Sequence, residues 1–243
     1  MLDKKFSLNI VFLILIVFFV FFTESIFAQE ITQLESPKTK RLFFMPTGYC
    51  LERGKFSIEG YLEGIDPFTL IPMIGYGVTE NITVSGGVSI IPEAGKDQFY
   101  YGSAQLGLIK RDKVALSAVA FAIRVPLEEL LGASTFGILS GIGTYDNKYF
   151  GITGGVGWGF ADGDFAEDPM FVLGGELKIA KDKSVLAEDL FFPGFDLHFL
   201  IGGMRISGLS GKNLSLEIGF LASVRDGEIS FSDIPHIGFH YYF

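Results

Sequence analysis

From residue 55 onward, apolar and polar residues alternate with a period of two, the spacing of a β-strand whose side chains point to opposite faces. In Leu214–Val224, one face reads Leu214, Leu216, Ile218, Phe220, Ala222 and Val224, and the other Ser215, Glu217, Gly219, Leu221 and Ser223. Twelve segments read this way. The first six are Lys55–Glu63, Ile71–Thr79, Ile82–Ile91, Phe99–Ile109, Val114–Val125 and Ser134–Thr144. Tyr149–Phe160, Met170–Ala180, Ser184–Phe191, Leu197–Gly208, Leu214–Val224 and Ile234–Phe243 complete the set. No segment sustains a helical period, and most match the roughly 9 to 11 residues with which a tilted strand crosses a bilayer.

The connections alternate between two kinds. Glu80-Asn81, Arg111-Asp112, Asp146-Asn147, Lys181-Asp182 and Ser210-Gly211-Lys212 are tight, built from residues that suit hairpin turns. PEAGKDQ, PLEELLGAS, ADGDFAEDP and RDGEISFSD are longer and acidic. An up-and-down sheet whose two ends meet different surroundings shows this alternation. One strand alone fits a soluble sandwich with its apolar face inward equally well. Three features favour a barrel in a membrane: aromatic residues gather near strand ends, the polar face is rich in glycine, and the strand count is even. The expected fold is therefore all-β, an antiparallel up-and-down transmembrane barrel of twelve strands. Glu188 and Asp189 are adjacent, so a regular strand turns one of them to lipid. A bulge or a shorter strand would relieve this, and the second keeps a ten-stranded barrel open.

Before residue 55 the pattern is different. Ile10–Phe22 is unbroken apolar sequence after Lys4 and Lys5, and it leads into SIFAQE. A run this short, with a basic start and small residues at its end, predicts a signal peptide over 1–28. Residues 29–54 include RLFFMP, too apolar to trail freely in water, while Pro46 and Gly48 suit no membrane strand. This segment is expected to lie in the periplasm, to plug the barrel or to dock on a partner, with the barrel proper over 55–243. Mean hydropathy is +0.40 and formal charge −9, which argues against a nucleic-acid partner. Cys50 is the only cysteine, so no disulfide forms within the chain.

The chain ends on IPHIGFHYYF, with Ile237, Phe239, Tyr241 and Phe243 on one face. A closed barrel pairs its last strand with its first and leaves no edge. This ending resembles the C-terminal signature of bacterial outer-membrane β-barrel proteins. The lead-in FFMPTGYCLERGKF is similar to the start of small barrels of that kind. The resemblance implies residence in the outer membrane with both termini periplasmic, outer-membrane lipids as neighbours, and recognition of the last strand by the barrel-assembly machinery.

Catalytic or metal chemistry finds little support. On a strand, His236 and His240 stand roughly 13 Å apart, too far to share an ion. No Ser-His-carboxylate set can be placed across the predicted neighbours; Ser215 and Ser223 share a face with Glu217 as ordinary lining of a lumen, so no enzyme is expected, and no residue pattern calls for a cofactor. The glycines of GGVGWGF and SGLSGKN lack the helix and key residues of nucleotide loops. ADGDFAEDP lacks the glycine of a calcium loop at its sixth position. The inward phase collects Glu59, Glu63, Arg124, Glu176, Lys178, Glu188, Arg205, Glu217, His236 and His240, the tenth strand allowing either phase for Arg205. Such a face suits a narrow channel for small hydrophilic solutes. Paired with one another, the same groups would instead stiffen a non-conducting barrel that presents its loops or its N-terminal segment.

Overall fold

The computed structural model describes residues 40–63, 69–91, 98–125, 135–180, 182–209 and 213–243. The expected signal peptide, residues 29–39, the connection 126–134, most of 92–98, and Lys181 with Ser210-Gly211-Lys212 lie outside the described residues. The strands are β1 (Phe56–Glu63), β2 (Thr69–Thr79), β3 (Ile82–Val88), β4 (Tyr100–Lys110), β5 (Val114–Arg124), β6 (Thr135–Asp146) and β7 (Phe150–Ala161). They continue with β8 (Asp164–Phe165), β9 (Met170–Ala180), β10 (Lys183–Phe192), β11 (Leu197–Leu209), β12 (Leu214–Arg225) and β13 (Glu228–Tyr242). Each wall strand pairs antiparallel with its neighbours in sequence, β7 pairing with β9. The two-residue β8 only extends the hairpin at the end of β7. The wall therefore has twelve strands. β1 and β13 close it, from Ser57 opposite Tyr242 to Leu62 opposite Ile237. Phe56 and Phe243 exchange backbone hydrogen bonds of 2.8 and 3.0 Å, so the chain's last residue is held in the seam.

Two of the long connections are shorter than their sequence suggests. Asp162-Gly163 and Asp226-Gly227 both take positive φ, the geometry that turns a hairpin within two residues. As a result β13 starts at Glu228, and most of RDGEISFSD is strand.

The period of two sets the faces. Leu173, Ile218 and Phe220 look outward and are about three-fifths exposed, as a lipid-facing surface requires. Exposed aromatics form two belts. Phe56, Tyr76, Tyr145, Phe150 and Phe243 ring the tight-turn end, and Tyr100, Trp158 and Phe171 the other. β10 is regular from Ser184 to Phe191, without the bulge or shortening considered above. Glu188 points inward. Asp189 points outward, where a carboxylate oxygen lies 3.1 Å from His198 Nδ1, and His198 stacks on Phe191 at 4.1 Å. A neighbouring imidazole thus answers the outward acid, and with twelve wall strands the ten-stranded alternative falls.

Candidate functional site

Residues 40–51 run inside the barrel rather than beside it. The chain turns in from the tight-turn end, where Gly54 N–H donates to the Gly77 carbonyl at 2.8 Å and Gly77 N–H to Lys55 at 2.9 Å. A Cβ on Gly77 would collide with the Glu52 carbonyl, so only glycine lets the segment pass. Farther in, the wall grips the backbone with side chains. Thr83 Oγ1 accepts from Leu51 N–H at 2.8 Å, Thr144 Oγ1 accepts from Gly48 N–H at 2.8 Å, and Gln105 Nε2 donates to the Thr47 carbonyl at 2.7 Å. The segment then doubles back, Leu42 N–H reaching the Met45 carbonyl at 3.0 Å and Thr47 N–H the Lys40 carbonyl at 3.0 Å.

The tip of this turn meets Glu188. The backbone N–H groups of Phe43, Phe44 and Met45 converge on its carboxylate at 2.9, 3.0 and 3.0 Å, a nest of consecutive donors around one anion. The apolar side chains of the tip complete two clusters. Leu42 and Phe43 pack with Leu186 and Ile201, and Met45 packs with Val119, Ile142, Met170, Val172 and Leu190. Fully burying side chains of this size stabilises by about 1.5–3 kcal/mol each. The inner face is consequently graded. On β9, Met170 and Val172 lie towards the long connections, Gly174 gives way to Leu42, and Glu176 and Lys178 lie towards the tight turns.

A belt of charge surrounds the base of the segment. Arg41 donates to Glu59 Oε2 at 2.7 Å, and Tyr61 OH lies 3.4 Å from the same oxygen. Arg205 donates through Nε to Glu217 at 2.5 Å, lies 3.7 Å from Glu176, and reaches the carbonyls of Arg41 and Leu42 at 2.7 and 3.2 Å. His240 Nε2 is 3.1 Å from Glu217, and Ser184 Oγ donates to Glu176 at 2.6 Å. Lys178 forms a second centre with Asp146 at 2.7 Å and the Asn147 carbonyl at 2.8 Å. These pairs are desolvated, so removing one partner is far costlier than breaking a surface pair.

Eight of the ten inward candidates thus line the bore. Glu59, Glu176, Arg205 and Glu217 share one network with His240. Lys178 stands apart with Asp146, Glu188 holds the tip, and His236 sits among the rings of Phe43, Phe44 and Tyr61 at 5.3, 5.6 and 5.2 Å. The Glu63 side chain lies outside the described residues. Arg124 is a correction: it is exposed at the end of β5, in phase with the outward Val114 and Ala118. Residues Ile237, Phe239, Tyr241 and Phe243 share the outward phase of β13 and its end. Arg41, Asp146, Thr83, Gln105 and Thr144 were not singled out from sequence, being ordinary polar residues in their own segments. Among the described residues, no three His, Cys, Asp or Glu side chains are placed to hold a metal. A void of about 40 Å³ remains beside Arg41, Tyr49, Glu59, Met73 and Gln105, room for a water or so.

A closed, even-stranded barrel with a lipid-type exterior and two aromatic belts defines a transmembrane β-barrel of the bacterial outer-membrane type. No protein-family model matches the chain, and no curated protein matches it in sequence. Among solved structures it is similar to the KdgM porin, with TM-score 0.59 and 11% identity over 77% of this chain and 99% of that one. The same porin in complex with disordered oligogalacturonate gives the same figures. The NanC porin is similar with TM-score 0.51 and 8% identity over 77% of this chain and 97% of that one. At these identities the likeness is one of fold.

Proposed function

We propose that the protein is a porin-like channel whose bore is closed, in the conformation described, by its own residues 40–51. Its place is the outer membrane, with both termini periplasmic. In the same reading, residues 1–28 direct export and the last strand is recognised by the assembly machinery. The protein acts on its solutes by passage and not by catalysis.

The observation that carries the proposal is the way the segment is held. Its contacts with the wall are non-covalent hydrogen bonds, ion pairs and apolar packing, many of them to its backbone, and water can replace the polar ones once the segment leaves. Twelve strands enclose more room than the eight whose interior side chains fill completely, so a vacated bore leaves a path. The fold shared with the two porins supports the same reading. A second reading, a permanently non-conducting barrel, is favoured by Arg205, which is buried on Glu217 and also donates to the Arg41 and Leu42 carbonyls, making the segment part of the core.

Single-channel recording in planar bilayers separates the two. The full chain is compared with one carrying Leu42→Asn and Phe43→Asn, which puts unpaired amides where the tip packs. The channel reading expects rare or no current from the first and steady current from the second. Silence from both, in barrels that migrate as folded, supports the non-conducting barrel.

A further inference from the structure

We infer that the bore vacated by residues 40–51 selects cations, and that its solutes are small molecules bearing a guanidinium or ammonium group. This rests on the channel reading. Among the described residues, the buried ionisable groups of the wall are Glu59, Asp146, Glu176, Glu188 and Glu217 against Lys178 and Arg205. Leaving the histidines aside, five carboxylates face two cations. The inner segment now offsets part of the difference: Arg41 brings a guanidinium to Glu59, and three backbone N–H groups serve Glu188. When it leaves, Glu188 and Glu59 lose these partners, and both are more than nine-tenths buried. Carboxylates concentrated in a narrow bore with low-dielectric walls attract cations and repel anions.

Arg41 indicates which cation fits. Its Nη1 lies 2.7 Å from Glu59 Oε2 and 3.4 Å from Met73 Sδ, and the Tyr61 hydroxyl borders the same carboxylate. A planar guanidinium held by a carboxylate, with a thioether and a phenol hydroxyl beside it, is seated by charge and by directed hydrogen bonds together. The Arg41 head group occupies the seat that a solute carrying the same group takes after the segment has moved. Among the described residues, the two buried cations of the wall each keep a carboxylate when the segment leaves: Arg205 loses the Arg41 and Leu42 carbonyls but stays bound to Glu217, and Lys178 stays bound to Asp146, so neither is a comparable seat for an acidic solute.

The test measures reversal potentials across bilayers holding a gradient of potassium chloride. It uses full chains carrying Leu42→Asn and Phe43→Asn, substitutions that displace the segment without altering charge. Maleimide labelling of Cys50 confirms the displacement. The expected result is a several-fold preference for potassium over chloride, lowered towards unity by adding Glu59→Gln and Glu188→Gln, with guanidinium able to replace potassium as carrier. Recording Glu59→Gln alone, which leaves the Glu188 contact untouched, guards against failure of the combined variant to fold. Current without preference, or with preference for chloride, overturns the inference and leaves the channel intact. Silence from labelled, folded barrels overturns the channel reading and the inference with it.

Discussion

Replacing Glu188 by alanine removes the one acceptor shared by three buried N–H groups. They donate at 2.9–3.0 Å to a side chain only 2% exposed, so bulk water does not replace it while the segment stays in place. A hydrogen bond to a charged group contributes about 1.5–3 kcal/mol, but the three share one carboxylate and do not add fully. Taking roughly 3 kcal/mol as the combined loss, and about 1.4 kcal/mol per factor of ten, the displaced population rises on the order of 100-fold. Cys50 reads this out. It is the only cysteine and is buried, and burial raises its thiol above the ordinary range, so it reacts slowly in place. When re-entry is faster than reaction, the labelling rate follows the displaced population. Glu188→Ala is therefore expected to speed maleimide labelling about 100-fold in barrels that still migrate as folded. Glu188→Gln keeps one acceptor oxygen and falls between. An unchanged rate in Glu188→Ala refutes the role of this contact.

Asp189→Leu shifts the urea midpoint little, because a partly exposed pair on the outer face is worth about 0–1 kcal/mol, whereas Glu188→Leu one position earlier releases the segment and exposes Cys50. Arg205→Met leaves Glu217 buried without its guanidinium and costs about 3–5 kcal/mol in unfolding from lipid vesicles. Arg205→Lys restores only part, since one ammonium cannot serve both Glu217 and the Arg41 and Leu42 carbonyls. Trp158 is the only tryptophan and faces outward near the long-connection end, so brominated acyl chains are expected to quench the protein's tryptophan emission. Retained emission would place that face away from lipid.

The wall was legible in the sequence because one face of each strand meets hydrocarbon and the other does not. Met170–Ala180 has the same bounds in sequence and structure, and the alternation of Ile237, Phe239 and Tyr241 marked the strand that pairs with β1. Phase failed where both faces are apolar. In β5, Ala118, Ala120 and Ala122 look outward while Val119, Phe121 and Ile123 look inward, so polarity does not reveal which way Arg124 points. The hairpins at Asp162-Gly163 and Asp226-Gly227 carried their turn signal, masked by the acidic residues around them. The inner apolar clusters were illegible for a different reason. Leu186, Leu190 and Ile201 face inward because Leu42, Phe43 and Met45 are there to meet them, contacts made across more than a hundred residues. Sequence showed RLFFMP to be too apolar for water but not what would cover it.

The position of residues 40–51 is tested most directly by a cross-link. A Cβ added at Gly107, on the inner face of β4, would lie 3.2 Å from Cys50 Sγ, within reach of a disulfide. The full chain carrying Gly107→Cys is extracted from membranes under mild oxidation, digested and analysed by mass spectrometry. A segment seated in the bore gives one peptide pair joined through Cys50 and the new cysteine, in monomeric protein. Two free, maleimide-reactive thiols in folded barrels would put the segment outside and contradict the closed bore.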